Sequence, residues 1–115
     1  MRKMLAMAVL AMFGPALAVF AADAKTNWED NCAKCHGPGG KGDTRMGGKL
    51  RIRDFTDAAV QAQFTDDDAF KAVKDGLKDA EGKIRMKAIE GLSDDDIKEL
   101  VKYVRGLKGG TAAGG

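Results

Sequence analysis

The chain has 115 residues, of which 44% are hydrophobic and 31% are charged, and its formal net charge at pH 7 is +2. This length and composition predict one small domain. The low net charge argues against binding nucleic acid through bulk charge. Two cysteines and one histidine cannot by themselves supply the four ligands of a structural zinc site.

The N-terminal segment has the pattern of a secretory signal peptide. A basic start is followed by a long apolar run, which only Gly14-Pro15 interrupts, and then by small residues. We predict a signal peptide over residues 1–24, with cleavage near Ala22–Ala24: after Ala24 or, alternatively, after Ala21 or Ala22. An uncleaved membrane anchor is the other interpretation, and the helix-breaking Gly14-Pro15 pair argues against it. The chain is therefore predicted to be exported to the bacterial periplasm, without stable membrane insertion after cleavage.

The remaining chain is predicted to begin with a helix over residues 25–34. Trp28 and Cys32 share one face of it, and we expect Trp28 to pack against the C-terminal helix. Two thiols three positions apart are followed by the only histidine in the sequence, in the order Cys32-Ala33-Lys34-Cys35-His36. This is the c-type haem attachment signature. We predict one covalent haem c, attached through Cys32 and Cys35 and ligated at iron by His36.

Three other interpretations of this motif find less support in the chain. A thioredoxin-like dithiol belongs in a βαβ unit, and no strand pattern is visible. A zinc site lacks a fourth ligand. A structural disulfide between Cys32 and Cys35 would close a very small loop and leave His36 without a role. Export agrees with haem, because covalent attachment takes place outside the bacterial cytoplasm.

A glycine-rich loop over residues 37–43 follows the histidine and permits the positive φ angles of a tight turn. A carbonyl in this loop, in our interpretation that of Pro38, can accept the Nδ1 proton of His36 and orient the ring. Residues 45–54 are basic and are predicted to be a loop. Thr56 is then predicted to cap a short helix.

Two further helices have recognisable starts. Thr65 is predicted to cap one that ends near Gly76, and Ser93 is predicted to cap the C-terminal helix. Residues 78–91 between them are predicted to be irregular. The C-terminal helix carries one apolar stripe, made of Ile97, Leu100, Val101, Val104 and Leu107. We predict an all-α fold of short helices, with one domain over residues 25–108 and a flexible Gly/Ala tail over residues 109–115.

The chain resembles the class I cytochromes c, the small bacterial type with one haem, over essentially the whole predicted domain. The resemblance is carried by Trp28 before the CxxCH motif, the loop ending at Gly42-Asp43, Met86, and Tyr103 in the C-terminal helix. It implies short helices packed around one haem, terminal helices joined through these aromatic residues, and Met86 as second axial ligand. One departure is Lys87, since the family commonly has proline directly after that methionine.

Two methionines outside the predicted signal peptide are candidates for the sixth ligand, Met46 and Met86. Met46 follows His36 closely, but an extended chain gains roughly 3.3 Å per residue and can reach around the haem edge. The resemblance favours Met86 and leaves Met46 as the weaker alternative, since a methionine there can also fill a gap. A lysine ligand, Lys83 or Lys87, and a five-coordinate iron are further alternatives.

With both axial positions filled, the iron has no place for substrate, so we predict an electron carrier and not an enzyme. We expect a monomer that passes single electrons between larger redox proteins. Basic residues are predicted to form a rim that docks on acidic partner surfaces: Lys41, Arg45, Lys83, Arg85 and Lys87. Two alternatives stay open, namely a haem-based sensor or binding protein for small gases, with a labile or absent Met ligand, and a dedicated electron-transfer subunit of one oxidoreductase.

Overall fold

The computed structural model describes residues 17–110, with side chains from residue 23 onward. The described elements, in chain order, are α1 (Leu17–Asn31), α2 (Ala33–His36), α3 (Arg45–Leu50), α4 (Ala58–Gln61), α5 (Asp66–Asp75), β1 (Leu77–Lys78), β2 (Ile84–Met86), α6 (Asp94–Gly106) and a 3₁₀ turn, Lys108–Gly110. Helices dominate, which confirms the predicted all-α class. None of the described helices is both long and apolar enough to cross a membrane. Residues 1–16 of the predicted signal peptide and 111–115 of the predicted tail lie outside the described residues.

The two helices with acidic first turns begin where the sequence predicts. At the start of α5, the Thr65 hydroxyl accepts from the Asp68 N–H and the Asp68 carboxylate accepts from the Thr65 N–H, both at 3.0 Å. Ser93 and Asp96 make the same reciprocal pair at α6. Each pair satisfies two N–H groups that have no partner within the helix. Gly76 ends α5 with φ of +78°, as its position in the sequence indicates.

The segment over residues 45–54 is not all loop, because it begins with α3. The Thr44 hydroxyl caps this helix by accepting from the Gly47 N–H at 2.9 Å. Gly47 lies so close to the preceding loop that a Cβ atom there would be 2.2 Å from the Gly42 carbonyl oxygen. Two adjacent glycines give α3 a low helix propensity, so these contacts across the loop, rather than local preference, hold it in place.

The cap of α4 is Asp57, so the prediction that Thr56 caps this helix is wrong. The Thr56 hydroxyl donates to the Asp54 carboxylate at 2.6 Å and is therefore engaged away from the helix. The Asp57 carboxylate accepts from the Ala59 N–H at 2.9 Å and takes the capping role.

Two short strands lie where the sequence shows no strand pattern. The strands β1 and β2 pair antiparallel, with Leu77 opposite Met86. They contain only two and three residues, too few for an alternating pattern to be visible. The prediction that residues 78–91 are irregular is wrong in this detail, and the fold class is unaffected.

The core lies between α1 and α6. Trp28, Leu100 and Leu107 are almost completely buried, with exposed fractions of 1%, 1% and 0%. The Trp28 and Tyr103 ring centroids are 5.5 Å apart, which confirms the predicted packing of Trp28 on the C-terminal helix. Helix α1 already includes residues 17–24, which precede the predicted helix over residues 25–34, and it ends at Asn31. Since the CxxCH motif follows α1 directly, this core determines where the motif lies.

Candidate functional site

The two cysteines and the histidine of the motif lie on one helical turn. The His36 N–H donates to the Cys32 carbonyl at 2.9 Å, and the Cys35 N–H donates to the same carbonyl at 3.2 Å. Cys32 is buried and Cys35 half-buried, and both thiols are free. A structural disulfide between them is therefore not formed in the described part of the chain.

Burial sets the protonation of this turn at neutral pH. Burial, together with the nearby Cys35, raises the pKa of the Cys32 thiol to about 11, so this sulfur keeps its proton. Burial also lowers the pKa of His36 below its ordinary value. The imidazole is then neutral near pH 7, which is the form that ligates a metal.

The His36 ring contacts two aromatic side chains. Its centroid lies 5.7 Å from that of Trp28 and 5.1 Å from that of Phe55, which stacks on it with an interplanar angle of 20°. Its Nδ1 is buried and has no hydrogen-bond partner. Every other buried side-chain nitrogen or oxygen of the described residues has one. The predicted bond to the Pro38 carbonyl is thus not formed. The preceding carbonyl, that of Gly37, accepts the Trp28 indole N–H at 3.2 Å.

The loop after the histidine closes over the end of α2. The Gly42 N–H donates to the His36 carbonyl at 2.7 Å, and the Thr44 hydroxyl donates to the Cys35 carbonyl at 2.6 Å. The last carbonyls of a helix have no partner within it, so these two bonds fix the end of the motif. Thr44 is absent from the residues predicted for the site, although a threonine at the start of a helix is a recognisable capping signal.

The two candidate methionines lie in different surroundings. Met86 ends β2 and is half-buried. It lines an open cavity of about 620 Å³, which Asn31, next to Cys32, also lines. Met46 lies in the first turn of α3 and is 40% exposed. Met86 thus lines a cavity, whereas Met46 is exposed on α3. Cys32, Cys35 and His36 do not line this cavity.

Half of the residues that line this cavity are apolar, and the other half are polar or charged. Leu77 and Ile84 line it and are 48% and 55% exposed, which is unusual for large aliphatic side chains. Gly76 keeps the hairpin in place, because a Cβ atom at its φ of +78° would lie 2.6 Å from the Met86 carbonyl oxygen. An apolar surface of this kind can be covered by a flat apolar group.

The residues present fit a covalently attached haem. Two free thiols and a neutral imidazole lie on one turn, in the arrangement that thioether attachment and iron ligation need. Aromatic rings pack on the imidazole, and the Met86 side chain lines a cavity together with Leu77 and Ile84. The donor set of nitrogen and sulfur is typical of haem iron.

Comparison with known proteins agrees with this site. The family model for cytochrome c matches residues 21–108. Among solved structures, the KustC0563 c-type cytochrome is 31% identical, covers 75% of this chain and 98% of its own, and superposes with a TM-score of 0.63. A point variant of that cytochrome is 30% identical, with coverage of 75% and 99% and a TM-score of 0.61. No curated protein matches the chain. The match over residues 21–108 confirms the resemblance stated from the sequence: the chain belongs to the cytochrome c family, as a small c-type cytochrome.

Proposed function

We propose that this cytochrome is a monomeric periplasmic one-electron carrier. In this proposal one haem c is attached through Cys32 and Cys35, and His36 and Met86 are its axial ligands. The observation that carries the proposal is the single turn that holds both free thiols and the His36 imidazole. When bound, the haem supplies an iron centre that gains and loses one electron.

The protein residues adapt that centre to electron transfer. His36 offers an imidazole lone pair, and Met86 offers a soft thioether that favours the reduced state and raises the potential. With both axial positions filled by side chains, no position is free for a substrate. Trp28 and Phe55 pack on the imidazole and limit its movement and its access to water. This arrangement supports a carrier rather than an enzyme.

Carbon monoxide distinguishes the carrier from a gas-binding protein. The holoprotein is produced in a host with haem-attachment machinery, and covalent haem is verified by its retention after acid extraction. We expect the ferrous visible spectrum at neutral pH to be unchanged by carbon monoxide, because Met86 occupies the sixth position. A shifted spectrum would favour the sensor alternative, and a haem removed by acid extraction would contradict the proposal as a whole.

The signal peptide has three predicted cleavage positions, after Ala21, Ala22 or Ala24. Ala24 is 4% exposed and belongs to the core cluster that contains Trp28 and Leu107. Cleavage after Ala24 would remove this contact, whereas cleavage after Ala21 or Ala22 keeps it. We therefore expect mass spectrometry of the periplasmic protein to find Ala22 or Asp23 at the N-terminus. A mature chain that begins at Lys25 would contradict this choice.

The rim of basic residues is proposed to dock on acidic surfaces of redox partners. All five residues are exposed, and none makes an ion pair within the described part of the chain: Lys41, Arg45, Lys83, Arg85 and Lys87. The ion pairs found there all involve residues of α5 or α6. The Arg85 guanidinium donates to the Leu50 carbonyl at 2.7 Å, so the hairpin and α3 present their cations on neighbouring surfaces.

Neutralising this rim is expected to slow electron transfer to an acidic redox protein. In a variant with Lys83, Arg85 and Lys87 changed to Gln, we expect the rate constant at low ionic strength to fall about tenfold and its salt dependence to flatten. The matched control changes Lys71, Lys98 and Lys102 to Gln, which removes the same number of charges from α5 and α6. Equal effects of the two variants would show that net charge, and not the rim, governs association.

A further inference from the structure

Gln61, at the end of α4, is the one polar residue buried among the described side chains, with 6% of its surface exposed. Its amide nitrogen donates to the Phe55 carbonyl at 2.7 Å and to the Val104 carbonyl at 2.8 Å. Both of its N–H groups are therefore used, and they join two segments that are far apart in the sequence. A buried amide with all its donors satisfied rigidifies the groups that it bridges.

Arg105 of α6 also hydrogen-bonds to Gln61. One guanidinium nitrogen, Nη1, donates to the Gln61 side-chain oxygen at 2.9 Å and to the Gln61 carbonyl at 2.6 Å. Its Nη2 donates to the Phe64 carbonyl at 2.8 Å, and its Nε donates to Asp66 at 2.7 Å. The guanidinium also lies 4.4 Å from the centre of the Phe64 ring. A planar group held by this many bonds has little freedom to rotate.

Phe55 is the residue that this network orients. Its carbonyl accepts from Gln61, and its N–H donates to the Gly40 carbonyl at 2.8 Å. Its ring contacts the Phe64 ring at 5.8 Å and stacks on the His36 imidazole at 5.1 Å. Both the N–H and the carbonyl of Phe55 are thus hydrogen-bonded, and its ring stacks on His36, the proposed iron ligand.

The contact between the Phe55 ring and the His36 imidazole matters because His36 Nδ1 has no hydrogen-bond partner among the described residues. Iron-ligating histidines usually donate their second ring nitrogen to a carbonyl or carboxylate, and this bond sets the ring orientation. Here Nδ1 has no such partner among the described residues, and the carbonyl of the next residue in the chain, Gly37, accepts from the Trp28 indole N–H. The rotation of the imidazole is then limited by its packing against Trp28 and Phe55.

We infer that Gln61 and Arg105 are positioning residues, which act through Phe55 to set the rotational orientation of the His36 imidazole. The inference rests on the proposed function, since the orientation matters once His36 is an iron ligand. If His36 and Met86 hold the haem iron, the plane of the imidazole and the orientation of the methionine side chain would together determine how the unpaired electron of ferric iron spreads over the porphyrin. The ¹H NMR shifts of the four haem methyl groups report that distribution, and a loss of stability alone leaves them in place.

The test compares haem methyl shifts in the ferric holoprotein. In Gln61→Leu, which removes the bonds to Phe55 and Val104, we expect the spread of the four shifts to change and the Phe55–His36 nuclear Overhauser effect to weaken. Arg105→Lys, a milder change, is expected to move the shifts in the same direction by less. Ile97→Ala is the control, because it opens a cavity at a buried residue of α6 that has no part in this network.

A double variant separates action through Phe55 from a general loosening of the fold. If Gln61 acts through the Phe55 ring, Gln61→Leu changes the shifts in the wild-type background but not in a Phe55→Leu background. Methyl shifts in Gln61→Leu and Arg105→Lys that superimpose on those of the wild type would overturn the inference. So would an equal change in Ile97→Ala. A chain without covalent haem would contradict the proposed function, and the Phe55–His36 Overhauser effect in Gln61→Leu would still decide the positioning role.

Discussion

Replacing Met86 with alanine is expected to abolish the far-red sulfur-to-iron charge-transfer band of the ferric holoprotein. It should also lower the reduction potential by on the order of 0.2 V, since axial ligands set haem potentials over a range of roughly 0.8 V and a methionine ligand raises the potential. The ferrous variant should bind carbon monoxide, because the sixth position becomes open. Visible and far-red spectra with redox titration measure all three effects.

Met46→Ala is the matched control for this experiment. It removes the same side chain, from a position that is 40% exposed on α3. We expect its far-red band and potential to stay as in the wild type. If the band survives in Met86→Ala and is lost in Met46→Ala, the ligand is Met46. A band absent from the wild type as well would leave Lys83, Lys87 or an open position at the iron.

Helix starts could be predicted from the sequence where the signal is local. Thr65 and Ser93 are each followed, three residues later, by an aspartate that completes a capping box, and both partners of such a box lie within one turn. The long helix α6 also shows its apolar stripe, because its buried residues recur at helical spacing.

The elements that escaped prediction are held by contacts between distant segments. Helix α3 contains Gly47-Gly48, which disfavour a helix, and it forms where Thr44 bonds back to Cys35 and Gly47 packs on the loop. The hairpin of β1 and β2 is likewise too short to show a pattern. Such long-range contacts have no local signature in a single sequence.

The residues of the candidate site also differ in whether the sequence alone indicates them. Cys32, Cys35 and His36 can each be named as candidates from the sequence, because the chemistry of haem attachment fixes their spacing. The surroundings of His36 could not be predicted. Phe55 is far from His36 in the sequence and contacts it only in the folded chain, and nothing in the sequence distinguishes Gln61 from an exposed glutamine. The predicted hydrogen bond at His36 Nδ1 is not formed among the described residues, and the Phe55 ring stacks on the imidazole.

Replacing Trp28 with alanine is expected to cost about 3–5 kcal/mol of unfolding free energy. The side chain is 1% exposed and contacts both Tyr103 on α6 and His36 in the site. Its removal opens a large cavity and leaves the Gly37 carbonyl without its indole donor. Because small domains have roughly 5–15 kcal/mol of stability in total, the loss is a large part of it. Guanidinium titration followed by circular dichroism measures the change.

Trp28→Phe separates packing from the hydrogen bond. Phenylalanine keeps much of the apolar contact with Tyr103 and His36 but cannot donate to Gly37, so we expect a cost of about 1–2 kcal/mol, in the range for an unsatisfied buried carbonyl. A cost for Trp28→Ala as small as that for Trp28→Phe would mean that packing of α1 on α6 contributes little. The covalent haem would then be the main source of stability, and the contact between Trp28 and His36 would follow from haem attachment rather than prepare the site for it.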